Sequence, residues 1–149
     1  MGNTHTNLLY HIIFSTKNRE RCIKQRFTSE LFKYINGILK KENGVLLNIG
    51  GVEDHLHLLI SLSPVHSLSD VVKKIKSNSS KWINEKRYLT GKFFWQKGYG
   101  AFSVSKSQTD LIIQYIENQE NHHKKLTFKE EYLKLLKLHQ IDYDEKYLW

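Results

Sequence analysis

Apolar residues recur along this chain in two alternating patterns, strand-like runs and helical spacings of three and four, and their order predicts an α+β domain. Leu8, Leu9, Ile12, Ile13 and Phe14 fill a strand-length stretch from Asn7 to Thr16, closed by the polar turn Lys17-Asn18-Arg19-Glu20. Phe27, Leu31, Ile35, Ile38 and Leu39 then follow helical spacing, which predicts a helix over 27–42 that stops at Asn43-Gly44. Two more strand-like runs, 45–52 and 55–62, are separated only by Glu53-Asp54 and are expected to pair as an antiparallel hairpin. After Pro64, Leu68, Val71, Val72, Ile75, Trp82 and Ile83 share one helical face, while Lys73, Lys74, Lys81, Lys86 and Arg87 decorate the rest. The aromatic stretch from Phe93 to Ser105, with Gly98 and Gly100, predicts a fourth strand carrying a bulge or tight bend. Ser107 and Asp110 have the spacing of a capping box and predict the start of a third helix. Its apolar positions, Leu111, Ile112, Ile113 and Ile116, give way to a polar run from Glu117 to Lys125, and Phe128, Tyr132, Leu135, Leu136 and His139 mark a last helix.

The order βαββαβ followed by helices is the split-βαβ, ferredoxin-like arrangement that also underlies RNA-recognition modules: an antiparallel sheet with helices on one face, plus C-terminal helices. The 149 residues show no repeat and no internal boundary, so a single domain over 1–149 is expected. A hydrophobic content of 40% with one proline excludes a chain that is mainly disordered or collagen-like. The apolar run Leu8 to Phe14 is far shorter than the ~20 residues of a membrane span. The first residues lack the pattern of a secretory signal. Cys22 is the only cysteine, which excludes an intrachain disulfide and a Cys-rich zinc site and makes the cytoplasm the expected compartment. Charge changes the picture more: 23 Lys and Arg against 15 Asp and Glu give +8, the footprint of a polyanion binder, although basic surfaces also serve solubility.

Candidate chemistry lies in two places. In His55-Leu56-His57 the alternation of a strand turns both imidazoles to one side, which makes half a metal site or, blandly, two half-exposed strand residues. Tyr115 and Gln119 lie one helical turn apart and so share a face. The polar run around Gln119 has no core of its own and must be solvated or serve a site. For Tyr115 the plain alternative is a core aromatic beside Ile112 and Ile116.

Three ordered motifs carry a resemblance. The runs Gly51-Val52-Glu53-Asp54-His55-Leu56-His57-Leu58-Leu59, Phe94-Trp95-Gln96 with Gly98-Tyr99-Gly100-Ala101-Phe102-Ser103-Val104, and Tyr115-Ile116-Glu117-Asn118-Gln119 resemble the HUH single-tyrosine transposases of minimal bacterial insertion sequences and their repeat-associated relatives. The stretch from His122-His123 through Glu130-Glu131-Tyr132 to Tyr147-Leu148-Trp149 is similar to that family as well. The resemblance implies that His55 and His57 bind a divalent metal, Mg²⁺ or Mn²⁺, that Gln119 completes the ligand set, and that Tyr115 is the nucleophile. It implies cleavage and rejoining of single-stranded DNA through a 5′-phosphotyrosine, hairpins bound near the element ends, and a homodimer whose active sites are shared between chains.

Other assignments follow from these expectations. Lys73, Lys74 and Lys81 on the second helix would track the DNA backbone, and Trp95, Tyr99 and Phe102 would stack on unpaired bases, with ordinary sheet packing as their alternative. Asp54 is placed to orient an imidazole. His122 and His123 are expected to be solvated. Two other classes compete. A noncatalytic single-stranded nucleic-acid-binding module of the same fold needs the basic face but not the His, Tyr and Gln together. A two-histidine phosphoesterase would pair each histidine with Thr or Ser two residues later, and no histidine here has that partner.

Overall fold

In the computed structural model, which describes residues 2–149, the chain runs β1 (Leu8–Ser15), α1 (Gln25–Lys41), β2 (Val45–Val52), β3 (His55–Leu62), α2 (Leu68–Lys86), β4 (Gly100–Val104), α3 (Thr109–Glu117), α4 (Gln119–His122) and α5 (Phe128–Leu138). The four strands form one antiparallel sheet in the order β2-β3-β1-β4. This is the split-βαβ order expected from the sequence, with β1 and β3 in the centre.

Because both central strands are covered on two sides, their alternation sorts residues between two different cores. Ile12 and Phe14 on β1, with Leu56, Leu58, Ile60 and Leu62 on β3, face α1 and α2 and join Phe27, Leu31, Ile35, Val72 and Ile75 in the main apolar cluster. The opposite face carries Ile13 and Phe102, packed on Phe128, Tyr132 and Leu136 of α5. The C-terminal helices therefore seal the second face of the sheet. That face also holds His11, Ser15, His55 and His57, all buried. Register sets these polar groups side by side, since Ile13 pairs with His57 and Ser15 with His55.

Two devices on β2 fix α3 against this face. A Cβ on Gly50 would lie 2.8 Å from the Ile116 carbonyl oxygen, so only glycine lets the helix backbone come so close. Asn48, at a register shift in β2, donates its side-chain amide to the Ile113 carbonyl at 3.2 Å.

Three local expectations need correction. The fourth strand spans only Gly100–Val104; at the start of the expected run, Asn84 of α2 takes both the Phe93 amide and the Phe93 carbonyl through its side chain. Trp95 makes an isolated bridge to Thr16 instead. The capping box at Ser107 and Asp110 does not form: a 3₁₀ turn, Lys106–Gln108, occupies that stretch, and the Ser107 hydroxyl pairs with the Ser105 hydroxyl. A true capping box closes the start of α5, between Thr127 and Glu130. Finally, the third helix breaks at Asn118, between α3 and α4. Among the described residues, no helix is long and apolar enough to cross a membrane.

Candidate metal centre and nucleophile

Strand β3 turns His55 and His57 toward the C-terminal helices, and each ring is gripped from behind. The His55 Nδ1 lies 2.7 Å from the Asp54 carboxylate, and the His57 Nδ1 lies 2.7 Å from His11 Nε2. Both rings are thereby forced to present Nε2 to the same small volume, the way outer partners orient metal-binding histidines. Asp54 thus makes the contact expected of it. His11, from the middle of β1, went unsuspected.

Into that volume project groups from the three C-terminal helices. The Gln119 Oε1 comes within 3.1 Å of His55 Nε2. The Glu131 carboxylate sits at the centre. Its Oε1 lies 3.0 Å from His57 Nε2, 3.0 Å from His123 Nε2 and 3.3 Å from His55 Nε2. Its Oε2 accepts hydrogen bonds from the Tyr115 hydroxyl and, at 3.1 Å, from the Gln119 amide. Tyr115 packs its ring edge-on to His57 with 5.6 Å between centroids, and His122 covers its other side at 4.7 Å. Tyr115 and Gln119 stay together across the helix break, since the Gln119 amide also reaches the Tyr115 carbonyl at 3.4 Å.

Charge in this pocket is uneven. Burial pulls the His57 and His11 imidazoles down to about 4 and about 3, so both rings are held neutral. Burial also penalises charge on His55, but hydrogen bonds and charge from Asp54 and Glu131 outweigh it and push that ring up to about 9. Burial acts to raise the Glu131 carboxyl, yet three imidazole contacts hold it below the usual carboxylate range. The Tyr115 hydroxyl is pushed above its ordinary value by burial and by the neighbouring Glu131 charge.

These donors suit a divalent cation. Ligand atoms of His55, His57, His123 and Glu131 all lie within 4.8 Å of one another. An octahedral shell with bonds of about 2.1 Å has neighbouring ligands roughly 3.0 Å apart, close to the spacings of Glu131 Oε1 from the three imidazoles. A cation there would displace the proton His55 holds and meet imidazole nitrogen and anionic oxygen donors, with Gln119 Oε1 alongside.

The sequence model described as "Transposase IS200 like" matches residues 4–119, from before β1 to the start of α4. The chain belongs to the IS200-like transposase family. The transposase for insertion sequence element IS200 of Salmonella typhimurium is 30% identical over 128 residues, 80% of this chain and 81% of that protein. The ISDra2 transposase TnpA of Deinococcus radiodurans is 27% identical over 117 residues, 75% and 84% of the two chains. A crystal structure of a transposase-like protein from Deinococcus radiodurans, 28% identical, superposes with a TM-score of 0.64 over 80% of this chain and 96% of that one. A REP-associated tyrosine transposase solved with a REP hairpin shares the fold at 13% identity, with a TM-score of 0.63 over 85% and 76%. An IS200-like transposase is a DNA-cleaving enzyme. His123 and Glu131 lie beyond the matched stretch.

Other expected positions of the transposase fall less neatly. Phe102 is buried and stacked on His139, and Trp95 is buried edge-on between Phe14 and Phe93 with its indole N–H donated to Ser79. Both are packing residues, and neither has a free face for a base. Lys73 and the half-buried Tyr99 line a groove along α2, on the far side of the sheet from the imidazoles. Lys74 pairs with Glu42 at 2.9 Å, and Lys81 stays exposed near Glu85. His123 is not solvated but belongs to the cluster, and His122 packs on Tyr115. Within the single chain, tyrosine, amide, carboxylate and imidazoles lie together. Glu131 had a signal in the sequence: with Phe128, Tyr132 and Leu135 it lies on the apolar face of α5, where a lone carboxylate has no packing reason to be.

Proposed function

We propose that this transposase acts as one domain that cleaves and rejoins single-stranded DNA through a phosphotyrosine formed on Tyr115. The observation that carries the reading is the meeting of the Tyr115 hydroxyl and the two HxH imidazoles on a single carboxylate. His55, His57, Gln119 and Glu131 would hold a divalent cation. Such an ion polarises a non-bridging phosphoryl oxygen and offsets charge that builds up during transfer. Imidazole donors favour Mn²⁺ at least as much as Mg²⁺.

The chain's own groups account for the rest. The pocket packs the Tyr115 ring between His57 and His122, which fixes the direction of the hydroxyl. Glu131 Oε2 is the nearest acceptor for the phenolic proton, which must leave as the oxygen attacks. The Tyr115 oxygen bonds to phosphorus, the bond from phosphorus to the 3′ oxygen breaks, and that oxygen takes up a proton from water. One phosphate ester replaces another, so a 3′ hydroxyl can reverse the step without an external energy source. Hairpin recognition and pairing with a second copy along the open edge of β4 belong to the same reading, with active sites shared between the two chains.

The test is incubation with labelled single strands that carry the hairpins flanking the coding sequence, with Mn²⁺ present, and a denaturing gel. Wild type is expected to give a protein–DNA adduct on the 5′-phosphate fragment. Tyr115→Phe, which keeps the ring, is expected to give none. An adduct mapped to any other tyrosine overturns the assignment. Hairpin binding without any adduct favours the noncatalytic module.

A further inference from the structure

A cavity of about 670 Å³ opens beside the imidazole cluster, and its walls include Asp54 and His123. Asp54 grips the back of His55, and the ring centroids of His123 and His55 lie 4.3 Å apart, so the cavity and the cluster share these residues. The walls come from the turn after β1, the β2–β3 turn and the α4–α5 connection, and they carry Arg19, Arg21, Lys124, Lys125 and Lys129. Glu53, Asp54 and Glu120 are the acidic groups there. Among the described residues none of the five cations lies within 4 Å of a carboxylate oxygen, and Asp54 is committed to His55. Five unpaired cations around one cavity leave an excess of positive charge that an anion would relieve.

Two of these cations are held by something other than a carboxylate. The Arg19 guanidinium lies 5.5 Å from the ring centroid of Trp149 and the Lys129 ammonium 4.8 Å from it. A cation over an aromatic ring gains attraction while keeping its full charge for a further partner. Trp149 itself is edge-on to Phe128 and Tyr132 of the second core, so the bracket is anchored. On the other wall, Asn18 and Arg19 both adopt left-handed backbone, with φ of 56° and 57°. Non-glycine residues rarely adopt that region, and the turn these two make carries Arg19 to the cavity.

We propose that this cavity seats the phosphodiester backbone of the single DNA strand next to the scissile bond, with Arg19, Arg21, Lys124, Lys125 and Lys129 as its phosphate contacts and Trp149 bracketing two of them. The cavity offers far more room than one phosphate group fills, and it leads through His123 to the carboxylate that touches Tyr115. The α2 groove that holds Lys73 and Tyr99 lies on the opposite face of the sheet, so it does not lead to the nucleophile. The assignment rests on the single-strand cleavage reading for its substrate, but its own test does not need cleavage.

The test measures binding of a fluorescent oligodeoxythymidine, which forms no hairpin, by anisotropy across a salt series with all metal chelated. Arg19→Ala with Lys129→Ala, and separately Lys124→Ala with Lys125→Ala, are each expected to flatten the slope of log affinity against log salt by about 1.4, at roughly 0.7 per lost single-strand phosphate contact. Lys40→Ala with Lys41→Ala, at the far end of α1, is expected to flatten it less than either cavity pair. Trp149→Phe keeps an aromatic face and is expected to bind as wild type, whereas Trp149→Ala weakens binding. Thermal unfolding of each variant separates lost binding from lost fold. Wild-type slopes in both cavity pairs overturn the proposal even where the Tyr115 adduct forms. Flattened slopes in a protein that never forms the adduct uphold the cavity while the cleavage reading fails.

Discussion

Leu56 and Leu58 on β3 face α1 and α2 through aliphatic and aromatic contacts, whereas His55 and His57, their neighbours on the same strand, face α3, α4 and α5 through imidazoles and a carboxylate. Both sets sit on one central strand and are buried alike. Only the direction of the side chain differs. The apolar face recovers stability by removing hydrocarbon from water, at about 25 cal/mol per Å². The polar face holds buried groups that are costly unless each is paired, and here they are paired with one another. A sheet buried on both sides can thus spend one face on folding and the other on chemistry.

Substitutions at adjacent residues are the strongest way to break this comparison. His57→Ala is expected to drop strand cleavage to background, a loss of about a thousandfold or more, because it removes a proposed metal ligand beside the proposed nucleophile. Leu58→Ala, one residue along and fully buried, is expected to cost about 2–5 kcal/mol of stability while the folded fraction cleaves normally. Cleavage assays and denaturant unfolding on the same two proteins decide it. If His57→Ala cleaves, the polar face is structural. Mixing His57→Ala with Tyr115→Phe sharpens the result: a site built within one chain predicts no recovery, whereas restored cleavage after proven subunit exchange would show sharing between chains.

A smaller effect is expected at Glu131. Glu131→Gln keeps the shape but loses the charge that faces three imidazoles. Mn²⁺ affinity, followed by titration calorimetry, is expected to fall by about 10–100-fold, the range seen when groups around a metal site are changed. Unchanged affinity would mean that Glu131 only packs the pocket in place of an ion and takes no part in holding one.

The same contrast explains what the sequence disclosed. Strands 45–52 and 55–62 matched residue for residue, because Asn43-Gly44, the Glu53-Asp54 turn and Pro64 punctuate the two apolar runs. Helix α1 was legible to within two residues because its buried positions recur at helical spacing. Phe93 to Tyr99 misled because its aromatics mimic a strand, while Asn84 takes the Phe93 backbone groups and only Phe94 and Gln96 pair with the chain just after β1 and at its end. On the polar face the HxH pair was legible as two imidazoles on one side of a strand, but their partners were not. His11 hides in an apolar run and Glu131 on an apolar helix face, and pattern reading treats each as noise. A polar residue at a position the pattern reserves for the core was the available signal.

The smallest expected effect is on pH dependence, and it again separates the two faces, because the apolar one does not titrate. An unfolded histidine titrates near 6.5. His57 and His11 sit at about 4 and about 3 in the fold, so between those values and 6.5 the unfolded chain binds more protons, and stability rises with pH through that window. Glu131, held below its ordinary range, acts in the same direction at still lower pH. His55 has the opposite sign: with a folded value of about 9 its contribution is complete below 6.5 and is lost as pH rises toward 9. The metal-free protein is therefore expected to be most stable near pH 6.5, measured by urea unfolding with a chelator present. His11→Gln keeps a hydrogen-bonding group beside His57 Nδ1 but cannot take a proton, so it should make the acid limb shallower and leave the alkaline limb as in wild type. An acid limb of unchanged steepness would assign the acid loss to His57 and carboxylates and remove His11 from the polar face's titration.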